Sequence, residues 1–370
     1  MKLLYITSLS GKRINSFMKS AVVAAKRCGV EFTMACNMEM ADLKLYEEDC
    51  KEYGISVVHI DFDRNPLSLK NVKAKKQLSD LMKINKYDVV HCNTPIGGLL
   101  GRICAKEMKV PYVIYQAHGF HFWKGAPLKN WLCYYPVEKF LARYTDLLLT
   151  INAEDYDVAK TFSLKKNGDV KLLHGVGVEV EKIQSKKVDK TNKRTELRIE
   201  QDAYVMVSVG ELIPRKNQLL AISAFAKANI QDSYLLICGV GTFEDELRQE
   251  IKRLNIEDRV RLLGFRQDII EILGCSDAFV FPSLQEGLPA ALMEAMAVGV
   301  PCIASRIRGN IDLLGKEYRY LHDAKDIDEL ATMMKDIRNE LEICANHCRG
   351  AIQAYDFNVA VDELSSIYNF

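Results

Sequence analysis

Short apolar runs alternate with amphipathic stretches along most of the chain. Residues 2–7, 30–36, 55–60, 87–92, 112–115 and 147–151 are apolar and rich in β-branched or aromatic side chains, which predicts strands. Residues 14–28, 41–53, 68–84 and 96–108 lie between them with helical periodicity, and helical stretches also follow the last two strands. Continuous apolar runs between helices predict a parallel sheet covered on both faces. Residues 181–194 are polar and charged, and the stretch 180–200 is expected to be a linker or domain edge. The rhythm resumes with strands predicted at 204–209, 234–238, 260–263, 278–281 and 302–304. Two doubly wound α/β domains in tandem are therefore predicted, residues 1–180 and 181–354, with a terminal helix at about 355–370 rejoining the first. Ligands of such sheets bind at the carboxyl ends of strands, beside the helix N-termini that follow, so the cleft between the two domains is the expected site.

The length of 370 residues agrees with two domains, since single cores rarely exceed roughly 250–300. No apolar run approaches the ~20 residues needed to span a bilayer. Residues 1–6 run too soon into polar positions for a leader peptide and read as the first strand. Eleven cysteines at irregular spacing point to free thiols in a reducing, cytoplasmic setting. Cys344, His347 and Cys348 suggest either a metal site or small residues on a terminal helix. The second reading is favoured because no further ligand pair is visible. The net charge of +1 conceals an asymmetry: residues 1–187 hold 29 Lys and Arg against 20 Asp and Glu, a balance of +9, and the remainder carries −8. Either this is a chance imbalance on a solvated surface, or the basic half meets an anionic membrane, nucleic acid or phosphorylated substrate.

The segment 281–301 carries the densest chemistry. It leaves a strand and enters a helix. Gly287 permits a tight turn, Pro289 suits the first helical position, and the N–H groups of Gly287 and Leu288 are expected to face a diphosphate beside the positive end of the helix dipole. Glu286 stands at the mouth of the strand, and Glu294 lies about two turns along the helix. Carboxylates accept hydrogen bonds from vicinal sugar hydroxyls; a capped helix with two surface glutamates is the alternative. A second strand-to-helix segment, 208–218, holds Gly210, Arg215 and Lys216, cations placed for phosphate or simply exposed in a turn. The segment 115–123 clusters aromatics around His118 and Gly119, either in a ligand-facing loop or as structure. Residues 89–98, with Gly97 and Gly98, either approach a ligand or pack tightly. Gly239 and Gly241 form a weak glycine pair.

Glu286-Gly287-Leu288-Pro289, Glu294-Ala295-Met296-Ala297 and Gly299-Val300-Pro301 together resemble the E-x7-E signature of the retaining family-4 glycosyltransferases. The segment 117–156, with His118-Gly119-Phe120-His121-Phe122, Lys124-Gly125-Ala126-Pro127-Leu128 and Tyr135-Pro136-Val137-Glu138-Lys139-Phe140, resembles their capsular and exopolysaccharide branch. The resemblance covers nearly the whole chain. It implies a GT-B fold, two Rossmann-like domains facing a central cleft, with the donor held mainly by the second. It implies that Glu294 binds the ribose hydroxyls, that Glu286 binds the transferred sugar, and that Arg215 and Lys216 hold the diphosphate. His118 would reach the sugar from the first domain, and the backbone around Gly264, Phe265 and Arg266 would contact the base. Many relatives carry arginine immediately after the glycine that is Gly210 here. This chain has Glu211, and Arg215 would take over that charge. The loop 8–13 also lacks the paired glycines of many relatives.

No Asp-x-Asp metal motif follows a strand, so transfer is expected to need no metal or other cofactor. The expected donor is a UDP-sugar, and the expected acceptor is a polyprenyl-linked saccharide at the inner face of the membrane, with no role for nucleic acid. An epimerase of the same architecture or a non-catalytic partner subunit are the alternatives. A dehydrogenase is disfavoured, because no G-x-G-x-x-G follows the first strand.

Overall fold

A computed structural model describes residues 1–8 and 10–369, the side chain of Ser16 excepted. Leu9 in the 8–13 loop and Phe370 at the end of the expected terminal helix lie outside the described residues. The chain forms two compact units: Met1–Gly177 with Phe357–Phe370, and Val178–Asp356.

In the first unit the strands are β1 (Lys2–Ile6), β2 (Glu31–Cys36), β3 (Ser56–His59), β4 (Val89–Asn93), β5 (Tyr112–Ala117), β6 (Leu147–Thr150) and β7 (Asp169–Leu172). The helices are α1 (Ser16–Arg27), α2 (Leu43–Tyr53), α3 (Lys70–Asn85), α4 (Pro95–Glu107), α5 (Leu128–Ala142) and α6 (Ala153–Ala159). All strands are parallel, in the order β3-β2-β1-β4-β5-β6-β7. The central strands bury both faces, as their unbroken apolar sequences require. One core joins Ala74, Leu78 and Met82 of α3 to Leu100 and Cys104 of α4 and Ala142 of α5, so these three helices share a face. The other core holds α1 and the last helix of the chain.

The second unit begins where a linker or domain edge is expected, and the stretch is a folded edge rather than a linker. Residues 180–196 contain two short helices, α7 (Val180–Gln184) and α8 (Lys190–Glu196). Asp189 caps α8 by accepting from Asn192 N–H. Arg194 is fully buried, donating to the carbonyls of Cys275, Gln201 and Ala203 and to Asp277 Oδ2 at 2.8–3.0 Å. Most of the polar stretch is exposed, and within it Arg194 alone forms a buried hydrogen-bond hub. The remaining elements are β8 (Tyr204–Val209), α9 (Gln218–Ala228), β9 (Ser233–Cys238), α10 (Glu244–Arg253), β10 (Val260–Gly264), α11 (Ile269–Gly274), β11 (Ala278–Phe281) and α12 (Ala290–Val298). After them come β12 (Cys302–Ser305), α13 (Asn310–Leu314), β13 (Leu321–His322), α14 (Ile327–Asp336) and α15 (Leu341–Ala351). The sheet is parallel, in the order β10-β9-β8-β11-β12-β13.

The last helix, α16 (Phe357–Tyr368), packs on α1 of the first unit. Val361, Leu364 and Tyr368 enter the core beside Tyr5. Tyr368 Oη lies 2.7 Å from His91 Nδ1, and Glu363 Oε1 lies 2.7 Å from His174 Nδ1. Among the described residues, no helix is long and apolar enough to cross a membrane.

Candidate active site

The loop between β11 and α12 brings the strongest sequence candidates together. Glu286 is 8% exposed. Its Oε1 accepts from Lys216 Nζ at 2.7 Å, Arg215 Nη1 at 3.2 Å and Ser283 Oγ at 2.6 Å. Arg215 also donates to the carbonyl of Gln285 at 2.7 Å. Three donors on one oxygen leave Oε2 without a hydrogen bond to a described residue. Residues 214–216 form a short 3-10 turn, and Leu284 N–H donates to the Arg215 carbonyl at 2.8 Å, so the two loops are stitched together. Asn217, at φ +57°, completes the seam by donating to the carbonyls of Pro282 and Ala324.

Lys216 is 14% exposed and lies over the Phe281 ring at 5.2 Å. A Cβ on Gly210 would meet Lys216 Cδ at 3.4 Å, so Gly210 lies beneath the lysine stem. Glu211 is exposed, and its carbonyl accepts from Gln218 Nε2. Gly239 and Gly241 serve close packing: a Cβ would fall 1.9 Å from the Gly210 oxygen and 2.2 Å from the Leu212 oxygen.

Pro289 differs from expectation. It is the N-cap of α12, and Ala290 is the first helical residue. The N–H groups of Gly287 and Leu288 donate to no described residue. Glu294 is half-buried on α12 and accepts from no described residue. Burial holds its carboxyl above the ordinary carboxylate range. A carboxylate desolvated without a donor is costly to the fold alone.

Several supporting residues escaped the sequence reading. Ser283 is fully buried beneath Glu286, and Ser305 donates to its carbonyl. Arg308 Nε donates to the Glu286 carbonyl at 3.2 Å, and a Cβ on Gly309 would meet the Gly287 oxygen at 2.4 Å. The 305–310 loop thus braces the Glu286 loop from behind. It lies about twenty residues downstream, and no local spacing signals the contact.

Gly264 sits at φ +66°, its carbonyl accepting from Gly239 N–H at 2.8 Å, and Phe265 is 72% exposed. The Arg266 side chain is committed elsewhere, to Asp268 and to Glu196 on α8. These ion pairs raise the Arg266 pKa and hold the Asp268 carboxyl well below the usual range. The Arg266 side chain is therefore not free to meet a ligand, whereas the Phe265 ring is exposed.

In the first unit, His118 Nε2 lies 3.0 Å from Asn93 Oδ1, and its ring sits 4.0 Å from that of Phe17. Burial, with the nearby His91, pushes the His118 pKa down to about 3, so the ring is neutral at physiological pH. Thr94, joining β4 to α4, takes φ +63°, which is rare for a β-branched residue. Gly98 is there for packing, since a Cβ would fall 2.4 Å from the Tyr115 ring. On α15, Cys344 and Cys348 are buried, while His347 stacks on Tyr318 and contacts the Leu314 carbonyl. No cluster of three metal-ligating residues occurs among the described residues.

The model for group 1 glycosyl transferases matches residues 189–349, and the glycosyl transferase 4-like model matches residues 2–152. The putative glycosyltransferase EpsD of Bacillus subtilis is 34% identical over 319 residues, 84% of each chain. An Escherichia coli UDP-Gal:alpha-D-GlcNAc-diphosphoundecaprenol alpha-1,3-galactosyltransferase is 32% identical over 359 residues, 91% of each chain. In fold, the chain is similar to Anabaena Alr3699/HepE, solved with UDP and glucose, at a TM-score of 0.80 and 20% identity over 100% of this chain and 99% of that one. Two parallel-sheet Rossmann-like units, the glutamate pair on the β11–α12 segment and these matches agree: the chain belongs to the family-4 glycosyltransferases, within the branch that builds capsules and exopolysaccharides.

Proposed function

We propose that this enzyme transfers a sugar from a UDP-sugar to a hydroxyl of a polyprenyl-diphosphate-linked saccharide, with retention of anomeric configuration and without a metal ion. The observation that carries the reading is a cation cluster, Arg215 and Lys216 of the β8–α9 turn on Glu286 Oε1 of the β11–α12 loop, together with a donorless carboxylate at Glu294 on the helix that loop enters.

Lys216 and Arg215 are held beside the free N–H groups of Gly287 and Leu288. Both cations bind the donor diphosphate and stabilise its charge as the bond to the sugar breaks. Glu286 Oε2 accepts from a hydroxyl of the transferred sugar while Oε1 keeps both cations aimed. Glu294 accepts from the ribose hydroxyls, which replaces the hydration that burial removed. The acceptor oxygen attacks the anomeric carbon on the face the diphosphate leaves. Its proton passes to the departing phosphate oxygen, and UDP is released. The E. coli relative, whose name specifies a UDP-galactose donor and a diphosphoundecaprenol-linked acceptor, supports these substrate classes.

The test is a panel of UDP-sugars incubated with undecaprenyl-diphosphate-linked N-acetylhexosamine, with product linkage read by NMR. An α-linked product from an α-linked donor is expected. An inverted product, or nucleotide release at full rate without acceptor, would overturn the reading.

A further inference from the structure

Helix α5 is apolar on both sides. Its inner side, through Trp131 and Tyr135, joins an aromatic cluster with Phe122 and Phe162, while Leu141 and Ala142 are buried. Its outer side presents Leu128, Leu132, Val137 and Phe140 at 73%, 68%, 43% and 52% exposure. Large apolar side chains exposed singly are ordinary on a protein surface, but four along one helix are not. Here nothing within the described chain covers the outer side, and contiguous exposed apolar surface marks an interaction site.

The charges say what kind. Lys124, Lys129, Lys139 and Arg143 are exposed along the same segment. The one carboxylate on α5, Glu138, is turned inward: it accepts from the fully buried Arg102 at 2.7 Å and from Tyr115 Oη at 3.0 Å. Arg102 in turn lies 3.7 Å from the centre of the Tyr115 ring. The outer side of α5 is thus a set of exposed apolar side chains interleaved with cations, with the Glu154 carboxylate beside Lys124 at one end, a combination suited to the boundary between acyl chains and anionic headgroups. A protein partner or a second copy would more often meet a rim of both signs.

We propose that the outer side of α5 is the membrane-docking surface of this enzyme, with Leu128, Leu132, Val137 and Phe140 entering an anionic bilayer and the four cations at headgroup level. This deepens the proposed reading, because a polyprenyl-linked acceptor lies in that bilayer, but its test needs no catalysis. Flotation of the full-length protein with phosphatidylcholine vesicles, with and without a third phosphatidylglycerol, measures the docking directly. The wild type should bind the anionic vesicles, and Leu132→Glu/Phe140→Glu should lose at least tenfold in partition. Lys129→Ala/Lys139→Ala should lose about fivefold per cation on anionic vesicles at low salt and little on neutral ones. Ile343→Glu, at another exposed apolar position, in the second unit, should bind like the wild type. A polarity-sensitive dye on Cys133, the exposed cysteine on this helix, should shift to the blue with anionic vesicles. Circular dichroism and UDP titration on each variant show whether the fold and donor site are intact. No flotation of wild type at low salt overturns the proposal, as does equal flotation of Leu132→Glu/Phe140→Glu, or a wild-type dimer that Phe140→Glu turns into a monomer without vesicles being needed. A protein that floats but binds no nucleotide would instead overturn the donor-site reading and leave the docking surface standing.

Discussion

Glu294→Gln should strengthen the fold and weaken the donor at the same time. The wild-type carboxylate is half-buried on α12, burial raises its pKa, and no described donor compensates. Glutamine has the same shape without the charge, so the desolvation cost largely vanishes. A gain of about 1 kcal/mol in stability is expected, which for a domain of this size raises Tm by roughly 2–4 °C. Ligand binding reverses the sign. On the proposed reading two ribose hydroxyls donate to the carboxylate, and the amide keeps only one acceptor oxygen. Losing one charge-assisted hydrogen bond costs on the order of 1.5–3 kcal/mol, or ten- to a hundredfold in UDP affinity. Glu286→Gln should behave differently. Its Oε1 neutralises Lys216 and Arg215 in the unliganded protein, so removing the charge releases both cations to the diphosphate. UDP affinity should hold or rise, while kcat falls tenfold or more because the sugar contact is lost. Calorimetry with UDP, thermal melts and turnover on both variants make up the assay. A Glu294→Gln protein that keeps UDP affinity within twofold, or that melts below wild type, refutes the reasoning. So does a Glu286→Gln protein that loses UDP affinity as Glu294→Gln does.

Three further outcomes are expected. Lys216→Ala should leave the melt nearly unchanged and reduce transfer at least a hundredfold, with Lys216→Arg recovering part of it; near-normal turnover in the folded alanine variant would remove its phosphate role. Transfer should persist in EDTA, and full loss restored by magnesium or manganese would show that the cations do not suffice. The hydrogen bond to Glu363 raises the His174 pKa above its ordinary value of about 6.5. Protons are then bound more tightly in the folded state, so this contribution is complete below about pH 6.5 and is lost as pH rises through the raised pKa. Thermal melts across pH 6–9 should show that decline in wild type and its absence in His174→Gln.

The strands were legible because central parallel strands are apolar on both faces, and β1, β2, β4, β8 and β11 carry that mark. β7 and β13 did not show. Among the four residues of β7 only Val170 is partly buried alongside three exposed neighbours, and β13 has two residues. Within 180–196, hydropathy cannot separate a solvated arginine from Arg194, whose donors are met by the carbonyls of Gln201 and Ala203 and of the distant Cys275. At the candidate site, the strand-to-helix placement of Glu286, Glu294 and Lys216 was legible. Their wiring was not: Lys216 and Glu286 are 70 residues apart, and only the adjacency of β8 and β11 in the sheet joins them. The inward turn of Glu138, which leaves α5 without an exposed carboxylate, was equally invisible.

The return of α16 to the first unit bears on how the chain is made. Residues Val178–Asp356 form a contiguous unit that can close on the ribosome once its own strands have emerged. The first unit, although synthesised earlier, must wait for Val361, Leu364 and Tyr368 to cover the surface around Tyr5 and His91. Until then the nascent first unit presents apolar surface to chaperones. A released chain truncated after Asp356 would therefore keep every residue of the second unit beside an unfinished first one, and clearance by proteases would begin at the older end of the chain.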